Sequence, residues 1–351
     1  MRVVVLGATG NVGTSTVRAL SGDPEVDSIV GVARRLPELN VHKVDWRQAD
    51  IRTADLTSLF HGADAIGHLA WLIQPSRDLQ TTRSVNVDGS ARVFRAVAEA
   101  GVPALVYASS VGAYSPGPKD RLVDESWPTN GVESSFYGRH KAEVERLLDD
   151  FEREHGDAVR VVRMRPGLIF KRGAASGIRR LFIGPLAPSP LMRAGVIPLV
   201  PDIPRLRFQA VHSADVGEAY RLGVTRDVRG AFNVAADPVL DPQELGRLLG
   251  ARPVRIPAGV LRALADISWR VKLQPTPPGW LDLALGTPLM DITRAREELG
   301  WTPRHTSGEA LLELLDGLSR SDGEPTPPLS PSGGGPLRVR ELLTGVGKKA
   351  T

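Results

Sequence analysis

The chain contains no cysteine. That excludes a disulfide scaffold, a thiol nucleophile, and cysteine-ligated zinc or iron–sulfur centres. No apolar run approaches the roughly 20 residues needed to cross a bilayer. Met1-Arg2 leads straight into Val3-Val4-Val5-Leu6, without the three regions of a secretory leader, so a cytoplasmic protein is expected. Charge of one sign is also scarce. Lys and Arg number 44 against 40 Asp and Glu, a net +4. Arg34-Arg35, Arg179-Arg180 and Lys348-Lys349 are only pairs, not the basic stripe of a nucleic-acid binder, so no nucleic-acid partner is expected. The seven histidines show no ligand spacing, and no metal is expected.

What is present is the composition of an ordered globular protein: 42% hydrophobic and 24% charged residues over 351 positions. Short apolar runs alternate with amphipathic stretches. Strands are predicted at Val3–Leu6, Ser28–Ala33, His42–Trp46, Ala65–Ala70, Pro103–Ser109 and Val159–Met164. Helices are predicted at Thr14–Leu20, Thr81–Ala100 and Ser135–Glu154. This alternation predicts an α/β fold, a doubly wound parallel sheet of about seven strands with helices on both faces. The pattern changes after Arg165. Residues 1–165 read as a dinucleotide-binding domain, rejoined by segments around 205–235. Residues 166–318 read mainly as a smaller, mixed substrate lobe, with Gly173–Pro204 expected to line the pocket. Residues 319–351 are rich in Pro, Gly and Ser and are expected to be a poorly ordered tail, with one helical turn over Leu337–Leu343.

Gly7-Ala8-Thr9-Gly10-Asn11-Val12-Gly13 follows the first strand and opens the first helix. A turn free of Cβ atoms lets a pyrophosphate approach the backbone and the helix N-terminus, and the last glycine lets helix and strand pack closely. The end of the second strand should select the cofactor. Ala33-Arg34-Arg35 stands there instead of an acid, and guanidinium suits a 2′-phosphate, so NADP(H) is favoured over NAD(H). The alternative is that both arginines are solvated surface residues. Asp50, with Ile51 beside it, can accept from adenine or simply start a turn. Leu69 and Ala70 end the fourth strand, where backbone can line the cofactor. His68 reads as a packed histidine.

Tyr137 and Lys141 stand four apart on one helix face, and Ser109-Ser110 ends the fifth strand. A tyrosine has a pKa of about 10, and a nearby ammonium would lower it. Tyr137 then serves as acid and base, Lys141 as its electrostatic partner, and Ser110 as the hydroxyl that orients the substrate. The bland alternative is a surface Tyr and Lys on an exposed helix.

Taken together, these segments resemble the extended short-chain dehydrogenase/reductases of the NAD-dependent epimerase/dehydratase family. The resemblance rests on Gly7–Gly13, Ser109-Ser-Val-Gly-Ala-Tyr114, Tyr137-Gly-Arg-His-Lys141, Asn86-Val-Asp-Gly-Ser90, Arg165-Pro166-Gly167, Val211–Val216 and Asp291–Trp301. It spans residues 1 to about 318. It implies a Rossmann-type sheet, Ser110, Tyr137 and Lys141 as catalytic residues, Asn86 as a residue ordering the site, and Pro166 near the nicotinamide. It also suggests a homodimer through Thr81–Ala100 and Ser135–Glu154. After Pro166, Gly167-Leu-Ile-Phe-Lys-Arg-Gly173 departs from the Asn-x-Tyr-Gly-Pro pattern of nucleotide-sugar epimerases. The chain is therefore closer to branches acting on less polar alcohols and ketones.

The expected function is an NADP(H)-dependent oxidoreductase acting on a small-molecule secondary alcohol or ketone. One alternative is a nucleotide-sugar epimerase or dehydratase with bound NAD. Another is a non-catalytic NAD(P)-sensing protein. Weaker candidates are Glu125 as a second acid or base rather than a solvated loop charge, and Arg179, Arg180, Arg205 and Arg207 as anion ligands rather than surface-paired residues. Val260–Val271 and Trp280–Leu285, apolar at helical spacing, read as lobe core rather than as a membrane-binding face.

Overall fold

The structure, a computed structural model, describes residues 1–184 and 192–334. Its frame is a seven-stranded sheet. The strands are β1 (Arg2–Leu6), β2 (Ser28–Ala33), β3 (Val44–Gln48), β4 (Ala65–His68), β5 (Ala104–Ala108), β6 (Arg160–Pro166) and β7 (Gly230–Val234). They lie in the order β3-β2-β1-β4-β5-β6-β7, and every pairing is parallel. The order reverses between β1 and β4, so a crevice opens beyond their carboxyl ends.

Successive strand residues face opposite sides, and both sides are covered. Val3 and Val5 of β1 pack with Val17 and Leu20 of α1 (Asn11–Ser21). Val4 and Leu6 point the other way, into a cluster holding Val93 and Phe94 of α2 (Gly89–Glu99) and Val144 and Leu148 of α3 (Phe136–His155). That is why β1 reads as a continuous apolar run. α4 (Ser213–Thr225) lies beside α1, and the Ser15 and Ser213 hydroxyls meet at 2.8 Å.

The helix predicted over Thr81–Ala100 is broken into Leu79–Arg83, a wide turn at Ser84–Asp88, and α2. Ser84 and Ser90 hydroxyls donate to the Thr81 and Asn86 carbonyls, and the widened turn carries Asn86 inside. Hydrophobic periodicity alone does not reveal such a bulge. The β3 strand lies two residues beyond its predicted position of His42–Trp46.

The lobe is built from three short strand pairs and the helices Pro242–Leu249, Ala258–Arg270, Gly279–Gly286 and Ser307–Arg320. Two expectations are corrected here. Helix Ala258–Arg270 is not lobe core, because none of its residues is buried and Leu264 and Ile267 are more than half exposed. Nor is the segment after Ser319 loose as far as residue 334. Ser319 and Arg320 end the last helix, and Thr326 and Leu329 are buried against the body of the protein. The turn expected at Leu337–Leu343, and part of Gly173–Pro204, lie outside the described residues.

One buried ionic cluster ties α3 to β6. Glu145 is fully buried. It accepts from Arg165 at 2.9 and 3.0 Å, from Arg163 at 2.9 Å and from the Ser109 hydroxyl at 2.5 Å. Burial alone would raise its pKa, but the two guanidiniums and Ser109 hold it down at about 2. Because the folded pKa lies below the ordinary 4.5, the stabilisation is complete above pH 4.5 and is lost as pH falls toward 2. Glu145→Ala is expected to destabilise the fold by about 3–5 kcal/mol, since it strands the buried Arg165, while Arg163 keeps Asp149 and Glu152. Denaturant melts at neutral pH check this, and Glu145→Gln should flatten the acid limb of the stability profile.

Candidate functional site

A cavity of about 740 Å³ follows the crevice between β1 and β4 and continues into the lobe. Gly7, Thr9, Gly10, Asn11, Val12 and Gly13 line it, as do Arg34, Asp50, Ile51, Leu69, Ala70, Ser110 and Tyr137. Thirteen of the residues read from the sequence therefore meet in one place. Arg35, Asn86, Lys141 and Pro166 are not on its wall.

The glycine loop is tight for identifiable reasons. Gly7 has φ +79°, and a Cβ there would fall 2.7 Å from the Ala70 nitrogen. A Cβ on Gly13 would fall 2.2 Å from the Gly7 carbonyl oxygen. Gly10 caps α1 without any side-chain hydrogen bond, so the first-turn amides have no side-chain acceptor. Asn11 is drawn aside, its amide donating to the Ile169 carbonyl at 3.1 Å.

At the adenosine end expected from the sequence, Arg34 and Arg35 are both exposed and only Arg34 borders the cavity. Asp50 behaves as a turn residue. Its carboxylate accepts the Arg52 amide at 2.9 Å and pairs with the Arg52 guanidinium at 2.7 Å. Arg52's hydrogen bond lowers the Asp50 pKa, and the field of Arg34 adds to the shift.

The two serines divide their work. Ser109 is spent on Glu145. Ser110 accepts the Gly112 amide at 3.0 Å and shares the cavity wall with Tyr137. Tyr137 is half-buried between two indoles, with ring centroids 5.8 Å from Trp71 and 4.9 Å from Trp280. Burial pushes its pKa up to about 12, against a lowering by Ser110. The expectation that Lys141 lowers this pKa is not met in this structure. Lys141 is buried and donates to the Ala108 carbonyl at 2.5 Å. Its ammonium lies 3.5 Å from the centre of the Trp71 ring and 5.8 Å from that of Tyr137. Burial drives its own pKa well down, opposed by Glu145.

Asn86 acts at one remove. Its side chain accepts the Leu72 amide at 2.7 Å and donates to the Leu72 carbonyl at 2.8 Å, which fixes the backbone beside Trp71. Pro166 is buried at the end of β6, and Gly167 lines the cavity in its place. His68 is a packed histidine, bonded to Ser90 at 2.9 Å, with its pKa pushed by burial to about 3.

The weaker candidates are corrected. Glu125 is neither a solvated charge nor on the cavity wall; it accepts the Asn233 amide at 2.7 Å. Arg205 donates to the Leu285 and Gly117 carbonyls, and Arg207 to that of Lys119. Arg179 and Arg180 are buried rather than surface-paired, and Arg180 lies on the cavity wall, where the ligand reading would place it. Sequence reasoning missed Trp71, Trp280, Glu145 and Leu329. A signal existed for Glu145: Arg163 and Arg165 alternate on one face of a strand that must be buried, and two such cations demand an acid.

The fold is of the doubly wound class, with its cavity in the crevice beyond the strand ends. Residues 3–182 match the model of the NAD dependent epimerase/dehydratase family, and the chain belongs to that family. An uncharacterised protein of Mycobacterium tuberculosis is 30% identical over 315 residues, covering 89% of this chain. The chain spans only 29% of that relative's length. L-arabinose 1-dehydrogenase (NAD(P)(+)) of Haloferax volcanii is 28% identical over 58% of this chain and 85% of its own. Among solved structures, UDP-glucose 4-epimerase of Thermotoga maritima, with UDP-glucose, superposes with a TM-score of 0.69 at 19% identity, over 92% of this chain and 99% of that one. The NAD complex of the Thermus thermophilus UDP-glucose 4-epimerase gives 0.66 at 20% identity, over 91% and 99%. At these identities the likeness is one of fold. The comparisons fit the epimerase/dehydratase alternative with NAD better than an NADP-specific oxidoreductase, and the expected NADP preference is not shown. No helix among the described residues is long and apolar enough to cross a membrane.

The four tyrosines of the chain give a direct check on the site's electrostatics. Tyr107 and Tyr220 are shifted upward, and Tyr114 and Tyr137 stand at about 12, each chiefly by burial. Ultraviolet titration of the native protein should therefore show no phenolate until pH is well above the ordinary value of about 10. A phenolate forming near neutral pH, and lost in Tyr137→Phe, would mean that Lys141 governs the site after all.

Proposed function

We propose that the cavity holds a nicotinamide dinucleotide and that the protein interconverts a secondary alcohol and a carbonyl, with the cofactor retained and reused. The observation that carries this reading is that Ser110 and Tyr137 stand together on the wall of a cavity that begins at a helix N-terminus with no side-chain cap. The residues present fit the dinucleotide. Gly7 and Gly13 leave no room for side chains in the loop, and the first-turn amides of α1 offer donors for a pyrophosphate. Thr9 to Gly13 would hold the phosphates, Leu69 and Ala70 would border the ring system, and Ile51 would pack under the adenine.

When bound, the nicotinamide supplies hydride acceptance and return. The protein's own residues manage the proton. Ser110 orients the substrate oxygen. Tyr137 takes the hydroxyl proton in the oxidising half and returns one to the alkoxide in the reducing half. With its pKa raised to about 12, the phenol holds its proton at neutral pH, so it is ready to act as an acid. The oxidising half needs the phenolate and should accelerate as pH rises. Lys141 sits one helical turn away, and Asn86 fixes the Trp71 loop against it. Tyr137→Phe is expected to cut turnover about 10²–10⁴-fold while the variant still binds cofactor. Loss of cofactor binding along with turnover would recast Tyr137 as a binding residue. Release and assay of the nucleotide carried by the purified protein checks retention.

A second reading, an oxidoreductase that exchanges its cofactor, is favoured by the lobe end of the cavity. Ile73, Leu181, Phe182, Phe208, Trp280 and Met290 line it, which suits an alcohol or ketone of low polarity. NADP(H) use belongs to this reading and turns on Arg34. Arg34→Ala should then weaken NADPH about tenfold or more, as expected for a lost charged hydrogen bond, with little effect on NADH. Equal loss of both in fluorescence titrations would put Arg34 on the adenosine rather than on a phosphate.

A further inference from the structure

The segment after helix Ser307–Arg320 has the composition of a tail, yet it forms part of the cavity wall. Pro328 and Leu329 line the cavity, and Leu329 is buried there. Three anchors hold the segment, each on a different part of the rim. Glu324 pairs with Arg18 of α1 at 3.0 Å and with the buried Lys171 at 2.8 Å. Lys171 in turn donates to the Thr14 hydroxyl at 2.6 Å, in the first turns behind the glycine loop. The Pro325 carbonyl accepts the Glu38 amide at 3.0 Å, four residues past Arg34. Arg180, from the lobe, donates to the Pro328 and Ser330 carbonyls at 2.6 and 2.7 Å.

The segment therefore ties the glycine-loop helix, the loop after β2 and the lobe to one another, and it borders the cavity with Pro328 and Leu329. Glu324 and Lys171 are both largely buried, so the pair is screened little by salt. Prolines at 325, 327 and 328 restrict the backbone between anchors and lower the entropy lost on holding it in place.

We infer that residues 323–330 are a strap that closes the dinucleotide cavity and sets the rate at which cofactor leaves it. This rests on the reading that the cavity takes a nicotinamide dinucleotide. A cofactor held by the glycine loop on one side and by the strap on the other escapes only when an anchor opens. That gives a physical basis for retention and reuse.

The test is a stopped-flow chase of NADH from the full-length protein, with dissociation followed by fluorescence. Glu324→Ala removes both ion pairs, and Leu329→Ala removes a wall side chain while leaving them in place. Either folded variant should release NADH about tenfold faster or more, with association changed less, since interface changes act mainly on dissociation. Thermal melts establish that the variants are folded, and Leu329→Ala is decisive if Glu324→Ala is not. Dissociation within about twofold of wild type in the folded variants would overturn the strap and leave the function reading intact. A wild-type protein that binds neither NADH nor NADPH would overturn both.

Discussion

A carboxylate buried beneath the site helix holds this molecule in register. Glu145 lies one turn beyond Lys141 and two beyond Tyr137 on α3, and it gathers Ser109 from the end of β5 and two arginines from β6. Arg165 extends the network to the Tyr114 hydroxyl, which bonds Asn233 of β7 at 2.6 Å. Three strands and one helix are thus fixed relative to one another by buried ion pairs and hydrogen bonds. The consequence for chemistry is positional. With Ser109 engaged below, its neighbour Ser110 is the serine left facing Tyr137. A dry, low-dielectric setting makes such a cluster rigid, and it also shifts every titratable group nearby.

That setting bears on the catalytic pair. Burial pushes the phenol and the ammonium in opposite directions, and both directions favour the neutral form. The usual argument, that a lysine lowers a tyrosine's pKa, needs a charged lysine. Here Lys141 rests on the face of Trp71 and on a backbone carbonyl. These contacts hold the ammonium 5.8 Å from the centre of the Tyr137 ring.

Much of the frame was legible because parallel strands covered on both faces carry continuous apolar runs. Ser28–Ala33 matches its predicted span, and the glycine loop sits where its spacing puts it. The candidate residues converge because strand ends and helix starts fall at one edge of such a sheet. What was not legible depended on contacts distant in sequence. The bulge at Ser84–Asp88 has no periodic signature. The apolar helix Ala258–Arg270 looked like core, because a hydrophobic stripe does not say what covers it. The tail looked loose, because Pro and Gly content describes backbone freedom and not the anchors that Glu324 and Arg180 provide. Cofactor choice was over-read from two arginines, one of which does not reach the cavity.

The connectivity carries a consequence for how the protein is made. Arg18 bonds Glu324 across 306 residues of chain, and β7 completes the sheet only after part of the lobe has been synthesised. β1 to β6 can form as they leave the ribosome, but the edge beside β6 stays open until β7 is made, and the cavity rim until residues 323–330 follow. Long-range closure of this kind is slow compared with local structure formation. The cavity thus stays incomplete until Pro328 and Leu329, far along the chain from its glycine loop, have been made.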